Sequence, residues 1–508
     1  QGLRVGGPYK ILIDLDEFRD SEFNGVFLQL GETERLETQL EPVQLERISV
    51  TASAPVFVNS GGSSYFGEDA IKNSAGLTRD VKDVIRSNPL VTILPGDDAA
   101  ITIAGQNPRF NSITVDGIGQ NDDFGLNSGG YPTQRSPLPF DALEQVTVDV
   151  APFDAKQSGF TGGVVNAVFK SGTNEFHGGV FYEKLTSDWA GTPKDLDGNE
   201  VPVEFEDKTY GFNLGGALIQ DTLFFFGSYE KYEAPQSLEW GAAGSGAANE
   251  TEATLGEVSE VQRIARDVYG LTDEQVGTPT GSPVEQDEKW VVKLDWNIND
   301  DHRAAFTYQF NEGNRTSNIT TSEGELRLSS HWYDRYEKIE NYSVKLYSDW
   351  SSDFSTEMSF TKLDKDNRQQ SFGDFADVTI LNLPSGGNIA FGSDNSRHAN
   401  SLATQTTTVQ LDATYLLDEH KIGFGLELKE LAVQNLYVPN SKGTIVFDGL
   451  ANFEDRFADS YFYANGKGND PFAVGADFQT KTFSLYVQDD FDLTDDLNLD
   501  SDTQHLQD

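Results

Sequence analysis

Cysteine is absent from this 508-residue chain, and methionine occurs once. Disulfides and thiolate metal sites are therefore excluded, although the absence is compatible with cytosol, periplasm and outer membrane alike. Cations are scarce: 37 Lys and Arg stand against 82 Asp and Glu, a net charge of −45. That balance argues against nucleic acid as a partner, because phosphate contacts need clustered Lys and Arg. It argues equally against docking on an anionic cytoplasmic leaflet. No run of about 18 apolar residues occurs, which excludes a transmembrane helix but not a β-barrel, whose strands alternate and leave no hydropathy peak. The six histidines lie far apart and form neither H-x-x-x-H nor H-E-x-x-H, so no metal site is expected. A nucleophile elbow and a phosphate loop are also missing, and no catalytic residue is assigned: the chain reads as a non-enzyme. Gln1 to Pro8 has neither a basic start nor an apolar core, so the chain reads as a mature or truncated piece of a longer protein.

What is present is β-pattern. Residues 1–46 alternate from Tyr9 to Leu15 and from Gly25 to Leu40 around a polar turn. Glu46 to Ala52 is followed by a Pro/Gly/Ser stretch to Ser64. Leu77, Val81, Val84 and Ile85 form a helical stripe within Ala75 to Asn88, ended by Asn88-Pro89. Ile101 to Ile118 holds two short strand patterns around a Gly/Asn/Pro turn, with Asp116-Gly117 as a turn dipeptide. Ala142 to Val150 reads as a helix end running into a strand. Gly162-Gly163 precedes Val-Val-Asn-Ala-Val-Phe and is expected to allow close backbone approach to a wall.

From Phe176 onward the text becomes a series of alternating strands. Phe212, Leu214, Gly216 and Leu218 share one face; the pattern recurs in Trp290–Trp296, Phe306–Phe310, Tyr342–Leu346, Val409–Tyr415, Ile422–Leu428 and Phe483–Val487. Tight turns such as Gln220-Asp221, 297–301, Ser351–Asp353 and Leu417–His420 alternate with long polar stretches at 233–286 and 364–402. Short turns alternating with long loops characterise outer-membrane barrels, while loops this long are uncommon in soluble sandwiches. Phe224, Phe225, Trp296 and Trp350 suit an interfacial aromatic girdle. The count is about eleven or twelve strands. Within the long stretch, Val258, Val261, Ile264, Ala265 and Val268 share one face of a predicted helix, Glu257 to Tyr269. Asn121–Asp123 and Asp97-Asp98 could contact a substrate or calcium at the plug apex, with solvated loop acids as the default reading, and Asp195 to Glu200 reads as a hairpin tip lacking the register of a calcium loop.

Ile101–Ile118 and Ser158–Gly179 together resemble the plug domain of TonB-dependent outer-membrane receptors, and "VVNAVFKSGTNEFHGGVFY" resembles the Oar-like branch. The resemblance implies a mainly β fold: a transmembrane antiparallel β-barrel, here about half of the family's 22 strands, an α+β plug and a partial N-terminal β-sandwich. It divides the chain into the end of a carboxypeptidase-regulatory-like β-sandwich (1–46), a TonB-box-like segment and linker (47–64), a plug (65–175) and the first part of the barrel (176–508). Ile48, Ser49, Val50, Thr51 and Ala52 would contact TonB by strand addition. Gly105, Asn111, Asp116, Gly117, Gly162, Gly163 and Asn166 would be plug-motif residues.

The implied function is TonB-dependent transport in a Gram-negative outer membrane, with the N-terminal segment in the periplasm. Expected partners are the TonB–ExbB–ExbD complex, outer-membrane lipid and an extracellular peptide, protein or glycan; no cofactor is expected. The alternative is a non-transporting surface receptor or adhesin.

Overall fold

The computed structural model describes residues 6–13, 21–28, 63–74, 76, 78–94, 99–127, 129–150, 155–156, 160–189, 191–192, 205–236, 238–418, 420–494 and 497–507. Eleven strands form one antiparallel sheet in sequence order: His177–Thr186, Glu206–Ile219, Leu223–Pro235, Val284–Asn297, His302–Ser317, Tyr333–Asp349, Phe354–Ser371, Asn400–Leu417, His420–Tyr437, Ala476–Thr494 and Leu497–Gln507. The first and last are not paired with each other, so the sheet is an open wall rather than a closed barrel.

Alternation gives each strand two unlike faces. In Tyr333–Asp349, Tyr342, Val344 and Leu346 are exposed, whereas Asn341, Ser343 and Lys345 between them are buried. The register carries this across the sheet: Val344 pairs with Phe306 on one side and Phe360 on the other. The apolar face is thus continuous and faces away from the rest of the chain, as a lipid-facing band does. Rings mark both borders. Tyr229 lies 4.3 Å from Trp290 and Tyr308 lies 5.0 Å from Tyr342, while Trp296 and Trp350 sit exposed beside the short turns. Phe224 does not join them. It belongs to the inward set with Phe226, Ser228 and Glu230, one residue out of phase with Phe225.

Inside the wall lies a five-stranded mixed sheet: Ser64–Gly67, Leu143–Val150, Gly163–Phe169, Ser112–Val115 and Ile118–Gly119, in that order. Its core, including Ile85, Ile101, Ile103, Val146 and Phe169, also takes in Phe226 and Val291 from the wall. The helix expected across Ala75–Asn88 shrinks to Val81–Ile85. Arg79 stands at φ 51°, and the Asp80 carboxylate accepts from Lys82 N–H. A side-chain cap satisfies an otherwise orphaned N–H and starts the helix there. The chain segment Gly6–Ile13 pairs with Ser21–Leu28 as a separate antiparallel hairpin.

The long connections are not loose. Glu325–Arg327, Asn388–Phe391, Asp377–Leu381, Thr444–Asp448 and Ser460–Phe462 form a second five-stranded sheet drawn from three different loops. The wall strand Phe354–Ser371 and its neighbour extend well into the stretch 364–402, leaving only 372–399 as the connection. Helix Leu255–Tyr269 covers this sheet. It begins in a Thr254/Glu257 capping box and stops at Gly270, φ 71°. Val258, Val261, Ile264 and Ala265 are buried against Leu326, Ile380, Ile389 and Phe391, as the helical stripe predicts. This cap also holds Tyr269 stacked on Phe453 at 4.9 Å.

Val344→Arg tests the lipid-facing assignment. A cation at mid-depth should lower the stability of the reconstituted full-length protein by roughly 2–4 kcal/mol, read from denaturant midpoints in bilayers; an unchanged midpoint would place that face in water.

Candidate functional site: the inner unit against the wall

Most of the sequence-assigned motif residues converge. Asn111 Nδ2 donates to Ile101 O at 2.9 Å, and its Oδ1 accepts from Gly163 N at 3.3 Å. A Cβ on Gly162 would come within 2.2 Å of that same Oδ1, so glycine is required for the carboxamide to reach. Asn166 Oδ1 accepts from Thr114 Oγ1 at 2.7 Å and from Gly117 N at 3.2 Å. Asp116 and Gly117, at φ 49° and 79°, turn the chain back, and Asp116 Oδ1 accepts from Phe169 N at 3.2 Å. These side chains lace Ser112–Val115 to Gly163–Phe169. Gly105 stands apart: it completes the Ala104-Gly105 turn, φ 73°, ahead of the short Pro108–Phe110 helix.

The close approach to the wall is not made where it was expected. Gly163 packs on Ile103 and the Asp149 carbonyl, both within the inner unit. It is Gly172 that touches the wall, where a Cβ would meet Phe225 O at 2.2 Å and Gly216 O at 2.6 Å. Ile48 to Ala52, Asp97-Asp98 and Asp195 to Glu200 lie outside the described residues.

The inner unit is tied to the wall chiefly by polar side chains. Arg79 sits over the Phe181 ring and reaches Asp141 at 2.9 Å, Glu183 at 2.8 Å and Glu230 at 3.3 Å. Glu230 in turn meets Lys289 at 3.1 Å and accepts from Phe140 N. Lys293 Nζ donates to Phe169 O at 3.0 Å and lies 3.6 Å from Asp116. Gln120 and Gln309 exchange carboxamide bonds. Asn127 Nδ2 and Gln134 N both donate to Glu337, and Lys156 pairs with Glu357 and Asp412. Asn121 and Asp122 are half-buried and Asp123 is exposed, and all three are engaged locally. Asn121 Oδ1 accepts from Ile113 N, Asp122 accepts from Phe124 N and Asn127 N, and Asp123 pairs with Lys365 at 2.8 Å. Contacts run from Glu183 on the first wall strand to Gln488 on the tenth, so the wall wraps the unit.

Glu230, Lys293, Gln309, Glu337 and Lys365 were missed by sequence reasoning. For Glu230, Lys293 and Gln309 a signal is visible afterwards, since each is a polar residue at the inward phase of a strand whose outward phase is largely apolar; around Glu337 and Lys365 the outward phase is itself polar and gives none. In the cap, His398 Nε2 donates to Ser393 O at 3.1 Å and its Nδ1 accepts from Lys442 N at 3.0 Å. Burial, with Lys442 beside it, holds this imidazole down at about 4.

Two families match the chain: the one described as TonB-dependent Receptor Plug Domain over residues 59–164, and the Outer membrane beta barrel domain over 168–284 and 268–501. This chain belongs to the TonB-dependent receptors of the Gram-negative outer membrane. It is 25% identical over 350 residues to the TonB-dependent transporter Oar of Myxococcus xanthus, covering 64% of this chain and 30% of that protein. It is 34% identical over 215 residues to the probable TonB-dependent siderophore receptor PirA of Acinetobacter baumannii, covering 39% and 26%. Among solved structures, the outer membrane transporter YddB of Escherichia coli shares the fold with TM-score 0.64 at 14% identity, over 90% of this chain and 58% of that one. A mutant ferric enterobactin receptor PfeA of Pseudomonas aeruginosa gives 0.55 at 16% identity, over 88% and 57%. The chain therefore spans under a third of its curated relatives and under three fifths of these solved ones. In this TonB-dependent receptor the inner unit is the plug, and the Oar-like resemblance of its sequence is matched by a relative of that name.

Asn111→Ala should strand the Ile101 carbonyl and the Gly163 N–H and destabilise the plug by about 1–3 kcal/mol, measured by hydrogen exchange of Gly163–Phe169; unchanged exchange would remove Asn111 from its structural role. The depressed His398 value means its contribution to cap stability is complete above about 6.5 and is lost as pH falls toward 4. After discounting for its partial exposure this amounts to on the order of 1–2 kcal/mol. Acid-induced proteolytic opening of the cap should therefore be weaker in His398→Gln than in wild type between those pH values, and identical profiles would contradict it.

Proposed function

We propose that this chain carries the plug and part of the wall of a transporter that moves an extracellular ligand through the outer membrane on energy delivered by TonB–ExbB–ExbD. The observation that carries the reading is the chemistry of the plug–wall contact. A handful of ion pairs and carboxamide bonds hold the plug, with Phe226 and Val291 as the wall's share of its core. Such contacts can be exchanged for water one at a time, whereas a broad dry interface has to part all at once. Mechanical unplugging needs the first kind.

In this reading the ligand binds from outside between cap and plug apex, and Ile48–Ala52 adds as a strand to TonB on the periplasmic side. Ligand must bind one plug state better than the other, because equal affinity shifts nothing. The hairpin Gly6–Ile13 and Ser21–Leu28 is assigned to the closing part of a carboxypeptidase-regulatory-like domain spanning 1–46, followed by the linker 47–64, the plug 65–175 and the barrel from 176. The named relatives include a siderophore receptor and a transporter, and neither label decides the cargo of this protein.

Since the described chain has no cysteine, Val50→Cys introduces a single thiol. In cells it should form a disulfide with a cysteine placed in the strand edge of TonB, more so when ligand-bearing medium is supplied. A chain that never crosslinks, while remaining folded in the outer membrane, would favour a surface receptor or adhesin instead.

A further inference from the structure

The cap sheet ends at Ser460–Phe462, whose outer side pairs with no other strand among the described residues. An open edge offers main-chain donors and acceptors to any extended chain, and proteins usually blunt it with charge, proline or cover. Here the edge is decorated with rings on both faces. Tyr461 is 60% exposed and Phe462 54%, and Phe457 and Phe472 stand out further along the same loop. The Tyr463 ring lies parallel to that of Tyr461, centroids 6.4 Å apart. One exposed ring needs no explanation, but such a group on an open edge does.

The edge is also held ready. Asn465 Nδ2 donates to the Tyr463 hydroxyl and to the carbonyls of Ser441 and Asn469, and the Tyr463 hydroxyl donates to Asn469 Oδ1. Behind it, Phe453 is packed into the cap core. A surface fixed before binding loses little conformational freedom when it is occupied.

Charge selects the occupant. Loop 438–475 carries Asp448, Glu454, Asp455, Asp459 and Asp470 against Lys442, Arg456 and Lys467. Two of those cations, though exposed, have their charged ends engaged by cap groups: Lys442 Nζ donates to Ser393 Oγ, and Arg456 donates to the Val268 carbonyl beside the Tyr269 ring. Exposed Asp455 and Asp459 lead directly into the edge strand. A second copy of a chain carrying −45 would be repelled. A glycan could stack on the rings but could not extend the ladder.

We propose that Ser460–Phe462 is a docking edge for an extended, basic segment of an extracellular polypeptide. The segment adds as a strand, its apolar residues lie against Tyr461, Phe462 and Tyr463, and its Lys or Arg side chains face Asp455 and Asp459. The placement of this edge outside the cell rests on the transporter reading above; the binding chemistry does not.

The test uses the full-length receptor in detergent and a fluorescent decapeptide of alternating lysine and valine. Saturable binding is expected. It should weaken at least about tenfold when alternate peptide nitrogens are methylated, which keeps charge and side chains but blocks pairing, and should vanish for the glutamate–valine peptide. Tyr461→Pro should cause a similar loss. Equal binding of methylated and unmethylated peptides would reduce the effect to bulk charge attraction and overturn the proposal. So would the absence of binding by the first peptide, which would mean that another part of the protein covers the edge. If Tyr461→Pro loosens the cap itself, the peptide comparison on wild type still decides. Because the assay needs no TonB, failed transport and failed docking remain distinguishable.

Discussion

Successive side chains on a strand point to opposite sides, and the architecture of this receptor follows from that constraint. Each wall strand serves two media at once: Tyr342, Val344 and Leu346 meet hydrocarbon, while Asn341, Ser343 and Lys345 turn inward. A slip of one residue would put lysine in lipid and valine against the plug. The hydrogen-bond ladder then propagates the phase of one strand to the next, so ten pairings share a single in–out decision. The apolar band, the polar lining and the seat for the plug are three expressions of one periodicity.

The inner lining explains why a charged plug is tolerated at membrane depth. Lys289 is buried between Glu230 and Asp287, and Glu230 is shared with Arg79 from the plug. Isolated, any of these charges would carry a desolvation cost of several kcal/mol. Grouped, each is compensated, and the compensation spans two bodies that the transport reading requires to separate. On that reading, water entering the gap would replace lost partners one at a time.

Much of this was legible beforehand, for physical reasons that differ by region. Strand phase is a local property, and the alternations at Trp290–Trp296, Tyr342–Leu346 and Phe424–Leu428 hold in the structure, each set sharing one face. The helix Leu255–Tyr269 was also readable, because capping box, stripe and terminal glycine agree. Phe224 was misplaced because three consecutive phenylalanines erase the phase that alternation supplies. The helix at Ala75–Asn88 was overestimated because the stripe ignores Asp80, whose side chain fixes the start.

The plug motif was readable as a set of residues but not as a network. Asn111 and Gly162 are near neighbours in space through a contact no spacing reveals. The Gly162-Gly163 pair suggested a narrow gap correctly and its other side wrongly; Gly172 meets the wall. Partners such as Glu337 for Asn127 lie more than two hundred residues away in sequence, and only the fold brings them together.

The cap sheet draws Glu325–Arg327, Asp377–Leu381 and Thr444–Asp448 from three separate loops and joins several of them in parallel. None of these segments can find its neighbour until the wall strands beneath are aligned, since their spacing is inherited from that alignment. The pairing of the cap therefore depends on the register of the wall. A wall threaded two residues out of step would carry the loops to mismatched heights and leave Phe391, Phe447 and Ile264 in water, so the burial of these side chains reports the register of the wall.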